Sequence, residues 1–210
     1  MPERRVALPA RSERGGAGGA ERAKRANAPR QKSLMADLLV RLYDLPPLAP
    51  VVDVLDRQGI AIRRALATER TQVTAFAREH GSDGWAAECD AAFARMPLAC
   101  FLATERSATM VDGKAAPTGN TLIGFACYEA TCRDFFGPEL VHPDARGRGV
   151  GKALLLAALH AMRAEGYAYA IIGWASSVDF YKKAVGATVI EGSQPGIYPA
   201  PLLPPSPPRR

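Results

Sequence analysis

Between Arg146 and Lys152 the sequence reads Arg-Gly-Arg-Gly-Val-Gly-Lys, so glycine and positive charge crowd the stretch directly ahead of a long apolar run. Those residue types at that spacing are suited to holding an anion. A helix begins with backbone N–H groups that lack partners, and its dipole places partial positive charge there. Glycines just before such a start let the backbone curl until several N–H groups converge on one phosphate. Pro143 helps to close the element before the loop. The stretch after it, "KALLLAALHAMRAEG" (Lys152–Gly166), is apolar nearly all round, as a helix packed on a sheet must be. A helix is therefore expected to start at Gly151 or Lys152, with a phosphate or pyrophosphate held at Gly147–Gly151.

Two common phosphate loops do not fit. A P-loop needs glycine where Arg146 stands and Ser or Thr where Ala153 stands, which argues against ATP or GTP hydrolysis. The dinucleotide fingerprint needs its third glycine where Lys152 stands, near the start of a Rossmann unit. What fits is Arg-x-x-Gly-x-Gly, filled by Arg146, Gly149 and Gly151. Downstream, a continuous apolar strand "YAYAIIGW" (Tyr167–Trp174) precedes "SSVDFYKKAVGATVI" (Ser176–Ile190), a short helix with a tyrosine and then a glycine turn.

On these residues the chain resembles the GNAT (general N-acetyltransferase) superfamily, whose members use this loop to hold the pyrophosphate of acetyl-CoA. The resemblance is close over Leu122–Glu191, topological over Gly59–Thr104, and lapses before Gly59. The run from "YAIIG" to "GSQPGIY" also resembles bacterial members without an assigned acceptor.

The resemblance implies acetyl-CoA as co-substrate and direct transfer of the acetyl group to a primary amine of a small molecule or protein. Backbone N–H groups of Gly147, Arg148, Gly149, Val150, Gly151 and Lys152, helped by the charges of Arg146, Arg148 and Lys152, would hold the donor. Leu140 and Val141 would offer a main-chain N–H to the thioester oxygen, where the strands on either side of the helix splay apart. A preorganised donor there stabilises the developing oxyanion. Tyr181 matches the general acid, since a phenol near pKa 10 can protonate a departing thiolate. It also lies in the stripe Val178, Tyr181, Val185, which would suit a core residue equally. Glu139 and Glu129 are the candidate bases. His142 reads as closing the strand and His160 as structural. Trp85, Trp174 and Gly192–Tyr198 are where an acceptor pocket is expected, and Phe180 is expected in the core. Two other classes remain open: a non-catalytic acyl-CoA-binding module that keeps the glycine loop, and a nucleic-acid-associated protein working through its N-terminal segment.

Charge decides little for the third class. Residues 1–34 hold nine Lys/Arg against three Asp/Glu, which is the whole net charge of +6. That segment lacks aromatic or helical patterning and is expected to be a disordered basic tail, giving nucleic acid no specific support. No stretch has the ~20 apolar residues of a membrane span or the apolar core of a signal peptide. Cys89, Cys100, Cys127 and Cys132 form no Cys-x-x-Cys pair, so no metal site or disulfide is expected and a cytoplasmic location follows. Homodimerisation is compatible with the resemblance and marked by no residue.

The elements that must position these groups follow from periodicity. Met35–Leu55 reads as a short helix or strand and a loop, Gly59–Ala65 as a strand, Thr68–His80 and Trp85–Phe93 as helices. Leu98–Ala103 reads as a strand, Arg106–Asn120 as a polar loop, and Leu122–Tyr128 as a strand. Ser176 and Asp179 look like a capping box for the tyrosine helix. From Phe135 onward the order is strand, helix, strand, helix, strand, which demands a parallel crossover. The expected fold class is α/β (α+β): one domain over 35–203 with a mixed, twisted sheet of about six or seven strands flanked by helices, and a flexible proline-rich tail at 204–210.

Overall fold

The computed structural model describes residues 35–111, 114–194 and 196–197, and of residues 108–111 and 114–118 the backbone alone. The segments 1–34 and 204–210, where tails are expected, lie outside the described residues.

The strands are β1 (Ala36–Arg41), β2 (Ile60–Arg64), β3 (Cys100–Val111), β4 (Lys114–Tyr128), β5 (Phe135–Val141), β6 (Tyr169–Ala175) and β7 (Thr188–Val189). They form a seven-stranded sheet in the order β2-β3-β4-β5-β6-β1-β7. Among the described residues only β5 and β6 pair in parallel, and every other neighbouring pair is antiparallel. The helices are α1 (Ala49–Asp56), α2 (Arg70–His80), α3 (Asp83–Phe93), α4 (Val150–Ala164) and α5 (Val178–Val185). The fold class is thus the expected one: a single α/β domain with one parallel crossover, β5-α4-β6.

Two adjacent residues of β4 show how the layers lie. A Cβ on Gly124 would meet Leu154 of α4 at 3.2 Å. The Phe125 ring meets Phe76 of α2 edge-on at 6.2 Å. Neighbouring residues of a strand face opposite sides, so α4 covers one face of the sheet and α2 the other. Helix α4 buries Val150, Ala153–Leu159 and Met162, which is why its sequence is apolar nearly all round. Ser82 Oγ accepts the Trp85 N–H at 3.2 Å and fixes the start of α3. Buried thiols join the layers: Cys89 of α3 lies 3.9 Å from Cys127 of β4, and burial pushes the Cys127 thiol well up.

Three local expectations are corrected. Arg106–Asn120 is not a loop; β3 and β4 continue through it as a long hairpin pairing from Cys100↔Cys127 out to Val111↔Lys114. Polar side chains on a ribbon facing water satisfy the ladder as well as apolar ones, and Ser107 and Thr121 bond across it at 2.6 Å. Helix α5 takes Ser177, rather than the expected Ser176, as its N-cap. Phe180 is 38% exposed rather than core.

The first strand takes an unforeseen place, inserted between β6 and β7 near the end of the chain. A bulge between Ala36 and Leu38 turns Asp37 inward, where it is buried.

Candidate active site

The parallel ladder between β5 and β6 runs only through Phe135↔Ile171 and Phe136↔Ile172. Pro138 follows, and a proline has no N–H to continue a ladder. Beyond it β5 pairs only with β4, through Glu139↔Ala126, Leu140↔Phe125 and Val141↔Gly124. The His142 N–H donates to the Ile123 carbonyl at 2.9 Å. Antiparallel pairs alternate, so Leu140 also bonds toward β4, while the Glu139 and Val141 N–H groups point to the gap that β6 has left. Of the two residues expected to offer a main-chain N–H there, Val141 is the one whose N–H faces the gap.

Helix α4 starts at this gap. Gly149 is its N-cap with φ +94°, and Gly147 precedes it with φ +75°. Both lie in the left-handed region that favours glycine. The helix begins at Val150, so Val150, Gly151 and Lys152 present first-turn N–H groups without intrahelical partners. A Cβ on Gly151 would stand 3.5 Å from Glu139 Oε1 and 3.8 Å from the Phe180 ring. The glycine thus keeps a cradle open between the helix start and Glu139. The Arg146 guanidinium donates to the Val141 carbonyl at 3.1 Å, bracing the loop on the strand end. Arg148 is turned away: it pairs with Glu105 at 2.7 Å and reaches Gln58 at 3.4 Å. These unpaired N–H groups and the glycine cradle fit a pyrophosphate and the chain attached to it.

Two cavities meet beside the gap. One, of ≈ 830 Å³, runs past the helix start and is lined by Val141, Arg146, Gly151, Phe180 and residues at the end of α2. The other, of ≈ 600 Å³, lies over β6 and α3 and is lined by Trp174, Ile172, Phe136 and Glu88 among others. Trp85, Glu139, Ser176 and Tyr181 line both. At that junction the Tyr181 hydroxyl donates to Glu139 Oε2 at 3.4 Å. The other oxygen, Oε1, is shut off from solvent without a hydrogen-bond partner. Burial pushes the Glu139 carboxyl up to about 8, a rise that the bond from Tyr181 only partly opposes. Burial first, and then the Glu139 charge, hold the Tyr181 phenol far above its ordinary value, so it stays protonated.

The second candidate carboxylate stands elsewhere. Glu129 is buried, ion-paired with Arg95, and accepts from the Tyr167 hydroxyl and, at 3.2 Å, from the Asp134 N–H. It lines neither cavity. His142 Nδ1 accepts the Asp144 N–H at 3.3 Å, and His160 Nε2 lies 2.9 Å from the Pro46 carbonyl, both structural contacts. Trp85 and Trp174 do stand at the second cavity, 37% and 47% exposed. Residues of the expected segment Gly192–Tyr198 are not among the described lining; Met35, at the head of β1, is there instead. Thr131, Phe136 and Glu88 escaped sequence reading because each sits in a segment without a motif.

Among the described residues no group of His, Cys, Asp or Glu could hold a metal ion, and no helix is long and apolar enough to cross a membrane.

Comparison with known proteins bears on the family and the fold. The model of the acetyltransferase (GNAT) family matches residues 73–187. No curated protein matches the chain in sequence. A GCN5-related glucosamine N-acetyltransferase region of a fungal multi-domain GH3 β-N-acetylglucosaminidase superposes with a TM-score of 0.56 at 14% identity, covering 74% of this chain and 19% of that one. A GCN5-related N-acetyltransferase from Sphaerobacter thermophilus superposes with a TM-score of 0.52 at 17% identity, covering 74% of this chain and 48% of that one. The chain therefore spans about a fifth and about a half of those two proteins, and at such identities the likeness is one of fold.

Proposed function

The chain belongs to the acetyltransferase (GNAT) family, and on that premise we propose that it moves an acetyl group from acetyl-CoA to a primary amine by direct transfer. The observation that carries this reading is the Glu139–Tyr181 pair, 3.4 Å apart on the shared wall of two cavities, one of which leads to the glycine loop.

Acetyl-CoA, when bound, supplies an activated acyl thioester. First-turn N–H groups of Val150, Gly151 and Lys152, with the loop glycines, hold its pyrophosphate at the start of α4. The Val141 N–H donates to the carbonyl oxygen as negative charge gathers there. Glu139 takes a proton from the acceptor ammonium, and the neutral nitrogen forms the new C–N bond and releases its remaining surplus proton to water as the C–S bond breaks. A carboxyl raised to about 8 suits that work near neutral pH. Tyr181 gives its proton to the departing sulfur. The proton now on Glu139 passes back along the Tyr181 hydrogen bond, which returns both side chains to their starting state.

Thermal unfolding with acetyl-CoA, followed by thiol release on adding an amine, tests this reading. At 100 times its dissociation constant a ligand adds about 2.7 kcal/mol, a rise of several degrees. That rise should vanish in Gly149→Glu. Acetyl-CoA binding without thiol release for any amine would instead favour the non-catalytic acyl-CoA-binding module. Absence of any shift would remove the donor site.

A further inference from the structure

The cavity on the far side of Glu139 has a marked chemical bias. Among its described lining residues it carries no Lys, Arg or His, while Glu88 and Glu139 both face it. Its apolar walls are Trp85, Trp174, Phe136, Ile172 and Met35. Glu88 lies one helical turn beyond Trp85 on α3, on the same face, and lines this cavity but not the groove toward the glycine loop. The Thr131 hydroxyl donates to Glu88 Oε1 at 2.6 Å and fixes that carboxylate in place.

The indole wall is held at a conformational cost. Trp174 has φ +50°, unusual for a bulky side chain. The buried Asp37 carboxylate accepts the Trp174 N–H at 2.8 Å, and the Asp37 N–H donates to Ser193 Oγ at 2.9 Å. Strain that the surroundings hold in place gathers at ligand sites. Here it puts a half-exposed indole beside the reacting pair, and β1 is threaded next to β6 to hold it.

We infer that the acceptor is a small primary amine on a flat apolar body without carboxylate or phosphate, its ammonium group recognised by the two indoles and Glu88. This rests on the reading of Glu139 and Tyr181 as the transfer site. Indole faces attract cations and stack on apolar bodies. A carboxylate or phosphate on the acceptor would meet the Glu88 carboxylate and, among the described lining residues, no counter-charge. A volume of ≈ 600 Å³ is that of a small-molecule pocket. Asp37 is a positioning residue that acts through Trp174.

The test uses the full chain at saturating acetyl-CoA with thiol release as the readout. Acceptors are 2-phenylethylamine and tryptamine, set against phenylalanine and tryptophan, which add only an α-carboxylate, and against a lysine-containing peptide. The amines should exceed their amino-acid counterparts and the peptide in kcat/KM by on the order of 100-fold. Trp174→Ala should raise KM for 2-phenylethylamine by about tenfold and leave KM for acetyl-CoA unchanged. Glu88→Gln, a conservative change, should raise the same KM, and Asp37→Asn should do so without lowering kcat. Equal or better use of phenylalanine or the peptide would overturn the inference, as would unchanged amine KM in both Trp174→Ala and Glu88→Gln. Acetyl-CoA binding with no turnover of either amine would overturn it too. Failure to bind acetyl-CoA would instead sink the transferase reading beneath it.

Discussion

The Tyr181 hydroxyl donates to Glu139 Oε2 across 3.4 Å, while the opposite oxygen of the same carboxylate is buried without a hydrogen bond. A carboxylate so placed is costly to ionise, and the cost has a measurable signature in stability. Folding raises the Glu139 carboxyl from its ordinary value of 4.5 to about 8. Between those values the unfolded chain has released the proton and the folded chain keeps it. Stability from this group is thus full below the lower value and is lost as pH rises through the upper one. Glu139→Gln cannot ionise and should escape that loss. Its stability relative to the native chain should therefore climb between about pH 5 and about pH 8 and level off above that, on the scale of a few kcal/mol. A constant difference across that range would show that Glu139 titrates normally.

Replacement of Tyr181 by phenylalanine should separate acid catalysis from packing. The ring still fills the space beside Phe136 and Phe180, so the melting temperature should change little. The rate constant kcat should fall by about 10²-fold or more, with KM for acetyl-CoA unaltered. Because the lost hydroxyl also favoured the ionised form of Glu139, its titration should move further to alkaline pH. An unchanged kcat would make Tyr181 a core residue and nothing more.

Gly149 and Gly151 are expected to fail in different ways. At Gly149 a Cβ meets nothing within 4 Å, so Gly149→Ala suffers only from the backbone at φ +94°. That should cost about 1–2 kcal/mol of stability. Gly151 has no such φ, and its Cβ would enter ordinary contact with Glu139, Val141 and Phe180. Gly151→Ala should melt like the native chain yet bind acetyl-CoA more weakly in calorimetry.

Arg148 pairs with Glu105 on β3 rather than facing the helix start. The pair is about one-third exposed on each side, so solvent weakens it. Arg148→Ala should change acetyl-CoA affinity by less than about threefold and stability by under about 1 kcal/mol. A loss above tenfold in calorimetry would return Arg148 to the phosphate.

Much of this was legible in the sequence because local physics dictated it. The Gly147–Gly151 turn and the apolar helix after it are local features, and so is the β5-α4-β6 crossover they imply. Glu139 was legible only as one of two carboxylates, since nothing near it in the chain reveals that Gly137 and Pro138 part β5 from β6. Its place on the wall of both cavities then separated it from Glu129, which is buried as well but lines neither and is held by Arg95 and Tyr167. The hairpin through Arg106–Asn120 was hidden because polar composition imitates a loop, although Asp112-Gly113 is a hairpin signal. Asp37 was invisible for another reason: its partners, Trp174 and Ser193, lie more than a hundred residues away.

The central claim is that Glu139 is the base, and the pH dependence of kcat/KM for a primary amine with acetyl-CoA tests it most directly. The rate should rise with pH and level off above an apparent pKa of about 8, because the carboxyl must lose its proton before it can accept one. Glu139→Gln should keep acetyl-CoA affinity and lose about 10²-fold or more in rate, together with that rising limb. A variant that retains both the rate and the limb would contradict the account.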